Sequence, residues 1–262
     1  MDIISIIIAA AIVGVVGILA GVLLGVASEK FKVEVDEKQI QVRELLPGNN
    51  CGGCGYPGCD GLAAAIAKGE AKPSGCPVGG EEVAKKIAEI VGGDIDTVKM
   101  AARVKCAGDC NKAKDVYEYV GQQVCKLAAN APGGGPKGCS FGCLGYGSCK
   151  KVCQFGAISI VDGIAVIDPD KCKACGACVS ECPRHIIEMA PYDVGAFVAC
   201  NSVEFGKEVK AVCQTGCIGC GLCQKNCPES AITVENHLAK VDYEKCTGCQ
   251  TCKEKCPVKV IN

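Results

Sequence analysis

The sequence has no tryptophan, and aromatic residues make up only 4% of its 262 positions. Chains of this length usually fill their interior with such large side chains, so the core here must be built in another way. Histidine is also scarce, with two residues, which leaves little for acid-base catalysis. The net charge of -1 argues against a nucleic-acid partner. What the sequence holds in excess is cysteine, with 25 residues.

The N-terminal segment has no charged side chain from Ile3 to Ala27. An apolar run of this length can span a bilayer as one helix. Asp2 precedes the run, whereas Lys30 and Lys32 follow it, so the positive-inside rule predicts an outside N-terminus and a cytoplasmic remainder. A cleaved signal peptide, the alternative, would need a basic start, a shorter apolar run and a small-residue cleavage site. We therefore expect reduced thiols facing the cytoplasm, not disulfides.

Two runs of four cysteines near the C-terminus share the spacing C-x2-C-x2-C-x3-C, each followed by proline. This spacing is typical of bacterial two-cluster ferredoxins, in which the fourth cysteine of each run binds the cluster of the other run. The predicted ligand sets are Cys217, Cys220, Cys223 and Cys256 for one 4Fe-4S cluster, and Cys246, Cys249, Cys252 and Cys227 for the second. Structural zinc sites, the alternative, usually pair two short C-x2-C knuckles.

The same pattern recurs 74 residues upstream, which indicates a duplicated module. The matching cysteines are Cys143, Cys149, Cys153, Cys172, Cys175, Cys178 and Cys182. Each copy also contains an apolar-rich hairpin pattern, at residues 157–168 and 231–242, with a turn at its centre. The sequence therefore predicts two tandem ferredoxin-like modules.

The upstream copy departs from the pattern at one ligand position. Tyr146 stands where the other copy has Cys220, and Cys139 lies four residues before Cys143. We expect Cys139 to take the vacant position. The predicted ligand sets of this copy are then Cys139, Cys143, Cys149 and Cys182, and Cys172, Cys175, Cys178 and Cys153.

A separate group of four cysteines lies nearer the N-terminus: Cys51, Cys54, Cys59 and Cys76. Glycines between the first three allow backbone amides to approach the sulfurs, as in cluster-binding loops. The group predicts a fifth cluster, and zinc stays open as an alternative, since four isolated cysteines can also bind one zinc ion. The Ala-rich segment at residues 60–69 predicts a short helix, and apolar periodicity predicts helices at residues 81–91 and 95–104.

Five cysteines remain outside these motifs: Cys106, Cys110, Cys125, Cys200 and Cys213. Each module is preceded by a pair of them, and the two pairs together could bind a sixth cluster. That candidate set is Cys106, Cys125, Cys200 and Cys213, with Cys110 to spare. Buried free thiols are the alternative, because cysteine also packs as a small apolar side chain.

Lysines are concentrated around the second cysteine run of each module. They are Lys171, Lys173, Lys245, Lys253 and Lys255. A basic face of this kind can steer an acidic redox partner. The alternative is an ordinary solvated charged surface.

Together the motifs predict an α+β chain with one N-terminal transmembrane helix, a small helical iron-sulfur domain and two tandem ferredoxin-like modules. The predicted boundaries are 1–28 for the anchor, 29–46 for an exposed strand or extended linker, 47–104 for the four-cysteine domain, 105–138 for a connector, 139–190 for module 1, 191–216 for a second connector and 217–262 for module 2. No nicotinamide or flavin site is recognisable, so no catalytic residue is assigned.

The anchor, the loop N-C-G-G-C-G-Y-P-G-C at residues 50–59, Cys76-Pro77-Val-Gly-Gly and the ferredoxin runs occur in one order. In this order the chain resembles the B subunit of Rnf-type ion-translocating ferredoxin:NAD oxidoreductases, in the longer form found in anaerobes. The resemblance implies a membrane complex that passes electrons from soluble ferredoxin toward NAD and couples this to sodium or proton movement. The chain would then relay electrons from ferredoxin to the other membrane and peripheral subunits.

Two other functions share some of these motifs. A polyferredoxin subunit of a different membrane reductase, for example one that reduces a redox-sensing transcription factor, would carry the same cysteine runs. A structural zinc protein is the non-redox alternative. Within the favoured interpretation, we expect electrons to enter at module 2 and to leave at the four-cysteine domain, which is nearest the anchor in sequence.

Overall fold

The computed structural model describes residues 3–30, 36–95 and 98–262. Helix α1 covers Ile3–Lys30, and its side chains are described from residue 12 to residue 27. The large apolar side chains in that stretch are exposed, from Ile12 to Val26. Within the part of the chain described in full, no helix combines the length and the apolar character needed to cross a membrane.

The four-cysteine domain is built from three helices: α2 Glu37–Leu45, α3 Gly58–Ala67 and α4 Gly80–Val91. Val42, Leu62 and Ile87, one from each helix, are almost fully buried against one another. The helices predicted at 60–69 and 81–91 are therefore confirmed. Cys54 and Tyr56 of the loop that carries the first cysteines pack against this core.

The linker predicted at 29–46 is wrong for residues 37–45, which form α2. The Asp36 side chain accepts a hydrogen bond from the Lys38 backbone N–H at 3.0 Å and caps this helix. Val42 and Leu46 then complete the core of the four-cysteine domain. Local alternation of apolar and charged residues indicated an extended segment, but burial against α3 and α4 decides the outcome. Residues 31–35 of the predicted linker lie outside the described residues.

Module 1, predicted at residues 139–190, contains α6 Ser148–Lys151, the hairpin β2 Ile158–Val161 and β3 Ile164–Ile167, α7 Ala177–Glu181 and β4 Ile187–Pro191. Two elements upstream of these boundaries join it and are counted with module 1 from here on: β1 Met100–Val104, from the predicted four-cysteine domain, pairs with β4, and α5 Cys125–Ala129, from the predicted connector, contacts Ser148 of α6. The helix predicted at 95–104 is wrong for residues 100–104. These residues pair antiparallel with β4, with Ala102 opposite Met189. The partner strand is far away in sequence, so no local pattern could have indicated it. Residues 96 and 97 lie outside the described residues.

Module 2 contains α8 Gly206–Val212, α9 Leu222–Lys225, the hairpin β5 Ile232–Glu235 and β6 Leu238–Val241, and α10 Thr251–Lys255. Its hairpin pairs Ile232 with Val241, and the hairpin of module 1 pairs Ile158 with Ile167. These positions are 74 residues apart in both cases. The two modules thus repeat each other in backbone register as well as in cysteine spacing.

The bridge between Val198 and Ile261 extends the repeat beyond the motif. This bridge corresponds to the pairing of Val104 with Ile187 in module 1. Each module is therefore closed by a strand pair between a residue before its first cysteine run and a residue after its second. In module 1 the preceding residue stands further upstream, because the chain between the strand and the cysteine run is longer.

The four-cysteine domain lies against module 1 at Gly53. A Cβ atom at this position would lie 2.4 Å from the carbonyl oxygen of Cys175, just before α7. Only glycine allows the two loops to approach so closely.

We expect Gly53→Ala to weaken the contact between the four-cysteine domain and module 1, because the added methyl group must push the loops apart at a cost of about 1–3 kcal/mol. Faster hydrogen exchange in residues 47–91, followed by mass spectrometry, would measure the loss. Gly142→Ala is the matched control, since a Cβ there has its nearest neighbour at 3.5 Å. Equal exchange in both variants would contradict the contact.

Candidate iron-sulfur cluster sites

Twenty cysteines surround five concave sites in groups of four. The groups are Cys153, Cys172, Cys175 and Cys178 at the module 1 outer site; Cys125, Cys143, Cys149 and Cys182 at the module 1 inner site; Cys106, Cys139, Cys200 and Cys213 at the central site; Cys217, Cys220, Cys223 and Cys256 at the module 2 inner site; and Cys227, Cys246, Cys249 and Cys252 at the module 2 outer site. The volumes, with their open mouths included, run from about 300 to about 390 Å³.

The remaining motif cysteines form the N-terminal site, with Cys51, Cys54, Cys59 and Cys76. Cys59 is buried in the core of the four-cysteine domain, and Cys54 and Cys76 pack against the same core. The Asn50 side chain accepts a hydrogen bond from the Cys59 backbone N–H at 2.8 Å and holds the loop that begins at Cys51. The 25th cysteine, Cys110, is exposed and belongs to none of the six groups.

Three sites in the modules bring together the same cysteines that the spacing predicts: the module 1 outer site and both sites of module 2. In each of them the fourth cysteine of one run lies beside the first three of the other. Crossed grouping follows from the module fold, because the hairpin returns the chain antiparallel to itself and places the end of each run beside the start of the other.

The structure exchanges Cys125 and Cys139 relative to the predicted groups. Cys125, at the start of α5, donates its backbone N–H to the Ser148 hydroxyl at 3.0 Å, next to Cys149. This contact places Cys125 in the module 1 inner site, where Tyr146 leaves a ligand position open. The Tyr146 ring packs instead on Tyr119, with ring centroids 5.5 Å apart.

Cys139 lines the central site and not the module 1 inner site. Its sequence counterpart 74 residues downstream is Cys213, which lines the same central site. Cys106 and Cys200 complete the group, each two residues beyond a strand-closing residue of its own module, Val104 or Val198. Each module thus contributes two cysteines to the central site, from corresponding positions of the repeat.

Backbone hydrogen bonds connect the central site to both inner sites. The Cys143 N–H donates to Cys106 Sγ at 3.3 Å, and the Cys217 N–H donates to Cys200 Sγ at 3.3 Å. Cys143 and Cys217 are themselves counterparts in the repeat. The central site therefore shares a direct contact with the inner site of each module, by the same interaction on both sides.

The six sites follow one another in an unbroken row. The N-terminal site approaches the module 1 outer site where Gly53 meets Cys175. Within each module the outer and inner sites take their cysteines from the same two runs, and the central site joins the two inner sites. The order along the row is N-terminal, module 1 outer, module 1 inner, central, module 2 inner and module 2 outer.

The donor set fits a 4Fe-4S cluster at these sites. At the five sites of the two modules, four cysteines line one cavity. Backbone N–H groups point at several cysteine sulfurs, such as Gly79 N–H at Cys76 Sγ and Ala102 N–H at Cys172 Sγ, both at 3.4 Å. Such bonds stabilise thiolate charge and tune cluster potential. Among residues 3–30, 36–95 and 98–262, no three His, Cys, Asp or Glu side chains converge in the manner that a single metal ion requires.

Burial disfavours the thiolate form of several of these cysteines. Desolvation raises the pKa of the Cys149 thiol to about 12 and the pKa values of the Cys178, Cys200 and Cys223 thiols to about 11. Thiolates are the form that binds iron, so metal binding must displace these protons. Cys249 differs, because hydrogen bonds from the Thr251 side chain and backbone lower its pKa in an exposed position.

Three segments match protein families that bind iron-sulfur clusters. Residues 46–78 match a family described as "Putative Fe-S cluster", residues 165–188 match "4Fe-4S binding domain" and residues 216–260 match "4Fe-4S dicluster domain". These segments contain the N-terminal site and the second cysteine runs of both modules, and they extend over both runs of module 2. The chain is therefore an iron-sulfur protein with 4Fe-4S domains.

Relatives match almost the full length of the chain. The B subunit of the Na(+)-translocating ferredoxin:NAD(+) oxidoreductase complex of Acetobacterium woodii is 46% identical over 92% of this chain and 73% of its own length. The B subunit of an ion-translocating oxidoreductase complex of Methanosarcina acetivorans is 42% identical over 90% and 89%, respectively. The B subunit of the proton-translocating complex of Clostridium ljungdahlii is 40% identical over 87% and 81%. The chain belongs to the family of B subunits of Rnf-type ion-translocating ferredoxin:NAD oxidoreductase complexes.

Proposed function

We propose that the chain carries electrons through six 4Fe-4S clusters, one in each four-cysteine site, between soluble ferredoxin and the other subunits of an ion-translocating oxidoreductase complex. The observation that supports this most strongly is the unbroken row of six sites. A 4Fe-4S cluster gives and takes one electron at a time, so a row of them serves as a conductor without bond making or proton transfer. Family membership supports the same function.

The cysteines of each site would hold the cluster, and the surrounding chain would tune and insulate it. The backbone N–H groups at Cys106, Cys200, Cys172 and Cys76 stabilise negative charge on sulfur. Small apolar side chains such as Ala102 and Ala199 are buried beside the sites and exclude water. Exclusion of water limits loss of electrons to solvent species and holds each site in one geometry.

We place the electron-accepting end at module 2. Cys249 of the outer site and Cys220 of the inner site are exposed, which brings these sites near the surface where a soluble donor can dock. Lys253 and Lys255 of α10 are exposed beside them. Of the other lysines near the cysteine runs, Lys245 and Lys171 each pair with an aspartate, at 3.0 and 3.4 Å. The exposed pair on α10 is the better candidate for contact with an acidic ferredoxin.

The opposite end of the row is the N-terminal site, and we propose that electrons leave there toward the membrane. The sequence continues upstream from this site into α1. We further propose that α1 is a single membrane anchor with the N-terminus outside and the cluster sites on the cytoplasmic side. Its support is a helix of 28 residues, about 42 Å long at 1.5 Å per residue, with exposed apolar side chains and lysines at its end.

Iron content tests the six sites and their ligands. We expect about 24 irons per purified chain, four for each cluster. Cys125→Ser should lower the content to about 20, because it removes one ligand of the module 1 inner site. Adding Tyr146→Cys to this variant should restore about 24, because Tyr146 occupies the counterpart position of the ligand Cys220.

Two controls accompany the iron measurement. Cys110→Ser should keep the full iron content, since Cys110 lies outside every group. Adding Tyr119→Cys to Cys125→Ser should not restore iron. Tyr119 packs on Tyr146, but a thiol at position 119 lies outside the cysteine run. Rescue by both tyrosine replacements, or by neither, would contradict the proposed ligand set.

The electron path is tested at the N-terminal site. We expect Cys54→Ser to leave the other five clusters reducible by reduced ferredoxin but to lower ferredoxin-dependent NAD reduction by the assembled complex at least tenfold, because the last carrier is lost. Visible bleaching of the clusters and NADH formation measure the two steps. Cys110→Ser is the control with unchanged rates, and an undiminished NADH rate in Cys54→Ser would refute this exit point.

The anchor is tested by removal of residues 3–27. We expect the shortened chain to move from washed membranes to the soluble fraction while it keeps its iron, because the cluster sites all lie after residue 50. Immunoblots of both fractions and iron content measure this outcome. Persistence in carbonate-washed membranes, in cells that lack the partner subunits, would show that α1 is not the anchor.

A further inference from the structure

The central site contains a buried lysine. Lys137 lines this site together with its four cysteines, and only 6% of the residue is exposed. Its Nζ donates to the backbone oxygen of Gly108 at 2.9 Å. A Cβ atom at Gly108 would lie 3.1 Å from Cys213 Sγ and 3.9 Å from Cys106 Sγ, so this glycine packs directly against two of the four sulfurs. The lysine side chain therefore ends beside the place where a cluster would sit.

A second basic side chain lies at the neighbouring site. Arg184 lines the module 1 inner site, where it follows Cys182 by two residues. Its Nη2 donates to the Gly134 backbone oxygen, while its buried Nε has no partner within the described part of the chain. Desolvation by burial lowers the pKa of the Arg184 guanidinium, and the neighbouring sulfurs of Cys139, Cys182 and Cys143 act against this shift. Arg184 thus stands between the central site and the module 1 inner site.

Among the residues that the structure describes, no carboxylate forms an ion pair with either cation, Lys137 or Arg184. A buried cation without an acidic partner is costly unless another negative charge compensates it. The negative charge available at these positions is that of the cysteine sulfurs and of the cluster that they would bind.

The charges break the symmetry of the repeat. The counterpart of Lys137 in module 2 is Ala211, and the counterpart of Arg184 is Val258. The four central cysteines come equally from the two modules, yet both cations come from module 1. A positive charge near a cluster favours its reduced form, which is more negative by one unit. The module 1 side of the junction is therefore the side that holds an added electron more strongly.

We propose that Lys137 raises the reduction potential of the central cluster and that Arg184 raises that of the module 1 inner cluster, so that the pair draws electrons out of module 2. A cluster held by the module 2 inner cysteines would give up one electron, and a cluster held by the central cysteines would take up that electron, with no proton transferred and no bond formed or broken. This inference rests on the proposed six-cluster function. It adds a direction that the symmetric cysteine framework lacks.

Redox titration of the full-length, iron-loaded chain tests the proposal, with cluster reduction followed by electron paramagnetic resonance. In Lys137→Met we expect the ratio of reduced to oxidised form of one cluster to fall at least tenfold at a fixed potential. For a one-electron carrier this fall corresponds to a reduction potential lower by about 59 mV. Lys137→Arg keeps the charge and should restore most of this ratio. Arg184→Met should lower a different signal in the same way.

Two further variants separate charge from packing. Lys150→Met removes an exposed cation next to Cys149, where solvent screens the charge, and should shift no signal by as much as threefold. Val258→Arg places a cation at the module 2 inner site. It should raise the ratio of reduced to oxidised form of that cluster at least tenfold at a fixed potential. This variant tests whether a cation at this position of the repeat acts on the neighbouring cluster, and it leaves the central site intact.

The outcomes distinguish this inference from the function on which it rests. An iron content of about 20 in the unmodified chain would remove the central cluster, and the proposed six-cluster function would fail together with the inference. Full iron content with unshifted potentials in Lys137→Met and Arg184→Met would overturn the inference alone. An unshifted potential in an iron-loaded Val258→Arg chain would also overturn it.

Discussion

Each cluster site requires four sulfurs around one point in space, and this requirement determines how the rest of the chain is built. The three core clusters of buried side chains all contain cysteines. Large side chains that are almost fully buried are few among the described residues, Leu62, Ile87 and Ile232 among them. Short helices and hairpins that could not bury enough apolar surface alone are instead connected through their cysteines. The shortage of aromatic residues and the excess of cysteine are therefore two aspects of one design.

Most of the site arrangement could be predicted from sequence because cluster ligands with fixed short spacing come from one loop. The grouping at the module 1 outer site and at both module 2 sites needs only the C-x2-C-x2-C-x3-C runs and a hairpin that returns the chain. Spacing alone assigns Cys125 and Cys139 to groups other than those in the structure. Cys139 lies close to Cys143 in sequence, but the contact between Cys125 and Ser148 depends on a fold of the intervening chain that no spacing encodes.

The central site was hidden by a difference in chain length between the two modules. Cys200 precedes Cys213 by 13 positions, whereas Cys106 precedes Cys139 by 33, and Cys125 lies within the longer stretch. A fixed offset of 74 therefore aligns Cys139 with Cys213 but leaves Cys106 and Cys200 unmatched. Strand pairing resolves their equivalence, since Val104 and Val198 close the two modules in the same way. Errors at β1 and α2 have the same origin, because burial and pairing with distant residues override local pattern.

Duplication supplies a symmetric framework, and symmetry alone gives a conductor with no preferred direction. The N–H bonds at Cys106 and Cys200 are equal in length at 3.3 Å, so backbone hydrogen bonding does not distinguish the two sides of the central site. Side-chain charge does distinguish them, since Lys137 and Arg184 have the uncharged counterparts Ala211 and Val258. A charge buried near a cluster acts through a medium that screens it poorly, so two side chains suffice to bias a row of otherwise similar carriers. Divergence at two positions after duplication is thus enough to turn a symmetric pair of modules into a directed path.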